Sequence, residues 1–278
     1  MMAILGPIVL AAVSLGAIMA GAHGVQRLTG RSGWVDAIWS FATGAVGAGL
    51  ALAPIEGEPW PTGRQVMTAG LALAWSLRLG GHILARTLKG GEDPRYQALR
   101  DEWGADFPRR FFWFLQIQAA AALLLVVSIF LASRNVSPFP GLGDALGAAI
   151  LVFAVFGEAI ADAQLQRFRA DPSHRGGVCD TGLWGLSRHP NYFFEWLGWI
   201  AYPIIAIGAP PANVFGVIAL IGPVFMYWLL VHVSGVPPLE AYMARSRGSA
   251  FAAYRQRVNA FFPGPPRTAS NPDRNVDG

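Results

Sequence analysis

Seven ionisable residues interrupt otherwise apolar stretches of this chain: Asp36, Arg78, His82, Glu158, Asp162, Glu195 and His232. Their types cover what carbonyl and proton chemistry needs: carboxylates, imidazoles that exchange protons, and a guanidinium that holds an anion. A charge inside hydrocarbon is costly, so it lines a cavity or meets a partner and marks a functional site. All seven fall toward the same end of the stretches that carry them. That predicts a buried polar pocket opening at one membrane face.

Spacing groups these residues. Arg78, His82 and Arg86 recur every four residues and form one helical stripe. The two arginines alone would read as side chains reaching for head groups; His82 one turn deeper is a candidate donor in a polar pocket. Glu158 and Asp162 are four apart, with Gln166 and Arg169 continuing their face. Like charges at that spacing repel, so they need arginines, an amide or ligand hydroxyls. The reading is either a structural salt-bridge cluster or a cofactor whose neutral groups donate to the carboxylates while arginines take its phosphates. The densest segment is Ser187-Arg188-His189-Pro190-Asn191-Tyr192, followed by Glu195. Pro190 suits a first helical turn, where free N–H groups favour anions. Arg86, Arg95, Arg169, Arg175 and Arg188 could take phosphates through forked hydrogen bonds.

The elements that must position these groups are membrane helices. The chain is 53% hydrophobic and 14% charged, with a mean hydropathy of +0.39, against about 25% charged in soluble domains. A spanning helix needs roughly 20 apolar residues. Seven stretches qualify: 3–22, 34–53, 66–84, 111–132, 143–162, 192–210 and 213–233. The first has no basic start and no clean cleavage site, so it reads as a retained span. The last two read as a hairpin turning at Ala209-Pro210-Pro211, and Gly90 to Tyr96 as a turn leading into a short helix that carries Arg100.

Of the 21 Lys and Arg residues, 18 follow spans one, three and five or lie in the C-terminal region, whereas only Arg64 and Arg134 occupy the opposite loops. This bias predicts an outside N-terminus and a cytoplasmic C-terminus, and basic loops that contact anionic lipid. One cysteine, Cys179, cannot make an internal disulfide, and no Cys/His cluster has zinc spacing. No Walker loop or GxGxxG is present. Neither a metal nor a nucleic acid is expected as a partner. The domain reads as a single membrane body over 1–262, with a disordered tail over 263–278.

The Ser-Arg-His-Pro-Asn-Tyr run with Glu195 resembles the signature of the steroid 5α-reductase superfamily, most closely its bacterial members. The likeness extends to Asp36-Ala37-Ile38-Trp39, Glu92-Asp93-Pro94-Arg95-Tyr96, the segment from Ser234 to Glu240, Tyr254 and Phe262-Pro263. Sterol C14 reductases and isoprenylcysteine carboxyl methyltransferases carry a related arginine-histidine-proline motif. The resemblance implies an all-α protein of seven transmembrane helices, monomeric, holding NADPH in a cytoplasm-facing cavity of a bacterial inner membrane. Its substrate would be a small apolar enone, such as a 3-oxo-Δ4 steroid, entering from the lipid.

The implied cofactor-binding residues are Arg86, Arg95, Tyr96, Glu158, Asp162, Gln166, Arg169, Arg175, Ser187, Arg188, His189, Asn191, Tyr192, Glu195, His232 and Tyr254. The implied catalytic residues are Asp36 and His82. Glu158 stands where the family has Asn. The family's second-span Gln-Glu pair is absent, Asp36 being the nearest acid, and its third-span tyrosine is absent, His82 being the nearest polar residue.

The chemistry expected is hydride delivery to the β-carbon of an α,β-unsaturated ketone. A protonated Asp36, His82 or an ordered water would stabilise the enolate oxygen. The alternative is a methyltransferase using S-adenosylmethionine on a lipid amine or thiol, disfavoured by seven spans, the Glu158/Asp162/Arg169 face and many arginines for a cofactor without phosphate. A transporter is disfavoured because the outer halves of the spans lack charges.

Overall fold

The computed structural model describes residues 2–90, 94–208 and 214–267, and every regular element among them is helical. The helices are α1 (Met2–Thr29), α2 (Gly33–Ala51), α3 (Gly63–Leu88), α4 (Pro94–Trp103), α5 (Phe107–Ser133), α6 (Leu142–Ala170), α7 (Pro190–Ile207), α8 (Ile221–Trp228) and α9 (Val236–Arg257). Each of the seven apolar stretches contains helix, and the helices run past the apolar windows. α6 extends to Ala170, because its last turns are polar and solvated rather than broken. The seventh stretch is composite: a 3-10 segment over Val214–Leu220, then α8, then a π-helical turn over Leu229–Val233. The Ala209–Pro211 turn and residues 91–93 lie outside the described residues.

Four helical segments are long and apolar enough to cross a membrane: Leu5–Thr29, Arg95–Ser133, Leu142–Ala170 and Gly216–Arg257. α2 and α7 are 19 and 18 residues long, at the lower limit for a bilayer. α3 carries Arg64, Arg78 and Arg86.

The chain divides into two compact units, Met1–Val152 with Gly198–Met226, and Phe153–Leu197 with Tyr227–Gly278. In the first, α1, α2, α3 and α5 pack around Leu15, Met19, Phe111, Leu115, Val126 and Phe130. Small residues let the helices approach closely. A Cβ on Gly44 would lie 2.1 Å from that of Ser76, whose hydroxyl donates to Ser40 O at 2.9 Å. α3 begins with a full capping box, Thr62 with Gln65.

Arg64, one turn in, is 4% exposed. It grips Asp144 through Nε–Oδ1 at 2.8 Å and Nη2–Oδ2 at 2.7 Å, and donates to the carbonyls of Asn135, Ser137 and Pro138. Arg134 donates to Leu50 O at 3.1 Å and Ala53 O at 2.6 Å, satisfying carbonyls at the end of α2. The two arginines of the sparsely charged loops are therefore both structural.

In the second unit, Phe251, Tyr254 and Val258 form a small core with Val178 and Met243. Trp184 is buried, its indole N–H donating to Ala161 O at 2.9 Å. Gly157 of α6 faces Phe194 of α7, and a Cβ there would fall 2.4 Å from the ring. The segment after α9 is pinned: Gly264 N–H donates to Leu186 O and Arg267 N–H to Arg257 O.

Candidate functional site

The first unit holds one polar group that the sequence only half foretells. Asp36 lies in the first turn of α2. Its Oδ2 accepts from Arg95 Nη2 at 2.6 Å, and its Oδ1 from the hydroxyl of Tyr96 at 2.5 Å. Both donors come from the start of α4. The Arg95 guanidinium also sits 5.5 Å over the Tyr96 ring. Tyr96 is 3% exposed and meets Phe111 edge-on at 5.6 Å.

The sequence suggests a protonated Asp36 as donor; in the structure its carboxyl accepts from a guanidinium on one oxygen and from the Tyr96 hydroxyl on the other. Arg95 and Tyr96, expected on the cofactor, are partners of Asp36. A tyrosine does partner the acid, but from α4 rather than from the third span. His82 and Arg86 share the expected face of α3, half-buried and exposed respectively.

The second unit holds the signature. Glu158, Asp162 and Glu195 are 5%, 8% and 6% exposed. The Asn191 amide donates to Asp162 Oδ1 at 3.3 Å. Glu158 and Asp162 come from α6, and Asn191 and Glu195 from the opening turns of α7. Gln166, Arg169 and Arg175 are exposed beyond them. Buried carboxylates and an amide beside solvent-facing arginines suit a ligand with neutral donors at one end and phosphate at the other. Among the described residues no His, Cys, Asp or Glu group could hold a metal ion.

The rest of the signature builds the scaffold. Ser187 is fully buried; its hydroxyl donates to Phe261 O at 2.8 Å and accepts from His189 N–H at 3.1 Å. Arg188 puts Nε and Nη2 on Glu240 Oε1 at 2.8 and 2.7 Å, and Nη1 on Val258 O at 2.6 Å. Tyr254 donates to Trp184 O at 2.6 Å. These three are expected on the cofactor from the resemblance; in the structure their polar atoms join the 184–189 loop to Glu240 near the start of α9, to Tyr254 near its end and to the residues just after it. His232 sits exposed in the π-helical turn, edge-on to Tyr227 at 5.9 Å.

His189 is 3% exposed and stacks on Tyr192 at 5.6 Å. Its Nε2 meets Glu240 Oε1 at 3.1 Å, and its buried Nδ1 has no hydrogen-bond partner among the described residues. Burial holds the imidazole below its ordinary value, and Arg188 adds to this, against the opposing pull of Glu240. His189 is therefore neutral near pH 7, with Nε2–H donating to Glu240. Glu240 was seen in the sequence only as part of a C-terminal pattern. The cue for its role was the adjacent pair of cationic types, Arg188-His189, which calls for an anion.

The chain matches no curated protein and no solved structure. A family model does match, over residues 22–258, a span that includes both polar groups described above. The chain thus belongs to DUF1295, a family described as a protein of unknown function.

Proposed function

We propose that this protein is a membrane reductase that uses NADPH to reduce the carbon–carbon double bond of an apolar enone, with the 4,5 double bond of 3-oxo-Δ4 steroids as the model substrate. The observation that carries the reading is the set of buried carboxylates Glu158, Asp162 and Glu195 with the half-buried Asn191 amide on α6 and α7. The carboxylates suit hydroxyl and amide donors of a dinucleotide; exposed Arg169 and Arg175 suit its phosphates. NADPH supplies the hydride, and the protein supplies position and electrostatics. Tyr96, whose one hydroxyl proton goes to Asp36, would act as donor to the enolate oxygen by turning from the carboxylate to the ketone. The resemblance to steroid 5α-reductases supports the reaction class, as does the apolar character of the chain.

The topology that goes with this reading is seven spans, with the N-terminus outside and the active site facing the cytoplasm of a bacterial inner membrane, where reduced nicotinamide is made. The 18-to-2 distribution of Lys and Arg supports it.

One observation favours the second reading, an S-adenosylmethionine-dependent methyltransferase: Arg188, His189 and Glu240, members of the shared signature, form one cluster. A titration followed by tryptophan quenching separates the two. NADPH should bind more tightly than NADH, because the arginines suit the extra phosphate. Equal affinities, or tight binding of S-adenosylmethionine alone, would count against the reductase. Asn191→Ala and Glu195→Ala should lose NADPH binding while remaining folded.

A further inference from the structure

Apart from the two polar groups, the first unit has a cleft of about 190 Å³ where α1 ends, lined by Gln26, Arg27, Gly30, Arg100, Phe107 and Pro108. Its two cations are under-used. Arg27 is exposed, with no hydrogen bond or ion pair among the described residues. Arg100 makes one long bond, to Gly30 O at 3.4 Å, and lies 4.7 Å over the Phe107 ring. Gln26 is only 4% exposed, yet its side-chain amide has no hydrogen-bond partner among the described residues. Like charges sharing a cleft repel, and an anion between them removes that cost. The guanidinium fork matches phosphate oxygens.

The place of the cleft narrows the source of that phosphate. The apolar candidate span of α1 ends at Thr29, so if α1 crosses the bilayer the cleft stands at the depth of lipid head groups. Leu28 beside it is 89% exposed, and Val9, Leu10 and Val13 further along the helix are also exposed, giving acyl chains a surface to lie on. We infer that this cleft binds the phosphate of an anionic glycerophospholipid, with Arg27 and Arg100 as its ligands and the Gln26 amide as an added donor. The inference is independent of the proposed reductase activity.

The test is native mass spectrometry of the full chain, with phosphatidylglycerol, phosphatidylcholine and inorganic phosphate as separate probes. Phosphatidylglycerol should be retained more strongly than phosphatidylcholine. Arg27→Gln should weaken it roughly tenfold, the scale of one charge-assisted hydrogen bond; R27Q removes no intramolecular bond, so it keeps the fold. Arg27→Gln with Arg100→Gln should weaken it further. Arg31→Gln with Arg110→Gln, exposed residues that do not line the cleft, should leave retention within about twofold. Equal loss in that control pair would show a bulk charge effect and overturn the site, as would an unchanged R27Q. Displacement of the lipid by millimolar inorganic phosphate would overturn the lipid assignment and make the occupant a free phosphate.

Discussion

At the residue scale, the Asp36 carboxyl accepts from both Arg95 and Tyr96, so in the proposed reaction the Tyr96 hydroxyl, turning from Asp36 to the ketone, is the donor. Tyr96→Phe should then lower turnover about a hundredfold, on the scale of a lost oxyanion donor, with NADPH affinity unchanged. Asp36→Asn should cost less, because residue 36 only orients the phenol before its hydroxyl turns to the ketone. Steady-state kinetics on both variants checks this, and a near-normal Y96F would return the role to His82. His189 offers a pH test. Its imidazole titrates below the ordinary value in the folded protein. The unfolded chain therefore takes up the proton first, and stability should fall as pH drops below about 6.5. Thermal midpoints between pH 8 and pH 5 should fall less in His189→Asn than in the parent; equal slopes would mean His189 is not the group.

At the element scale, hydrophobic length and turn chemistry made the helices readable, and loop anchoring was not. Apolar runs located the membrane-length helices, because burial in lipid or core dictates them over many residues, but not the polar 22-residue α9, which follows the last stretch. They did not reveal that Arg64 reaches across 80 residues to Asp144, or that Tyr96 turns back to Asp36, since long-range pairing leaves no periodic trace. The signature loop is similar: its motif is plain, but the contacts of Ser187, Arg188 and Tyr254 depend on what α9 and the residues after it bring to the loop. Arg64→Met should therefore destabilise by about 3 kcal/mol or more, because it strands a buried Asp144. Thermal unfolding in detergent measures that, and Arg64→Met with Asp144→Leu should recover part of the loss. Gly157→Leu should also destabilise, by roughly 1–3 kcal/mol, since the added side chain meets Phe194.

At the scale of the whole molecule, four segments are long and apolar enough to span a membrane, and the Lys and Arg residues are unevenly shared among the connections. A reporter fused to the C-terminus should be active only in its cytoplasmic form; activity of an exported reporter there would reverse the orientation. The account's central claim is that the buried carboxylate–amide set serves a nicotinamide cofactor whose hydride goes to an enone. The most direct measurement is mass spectrometry of progesterone after incubation with the purified protein in lipid and NADPH, against Glu195→Ala as the control. The account predicts a product about two mass units heavier, formed by the parent protein and not by E195A. Unchanged steroid together with tight, saturable binding of S-adenosylmethionine would contradict it.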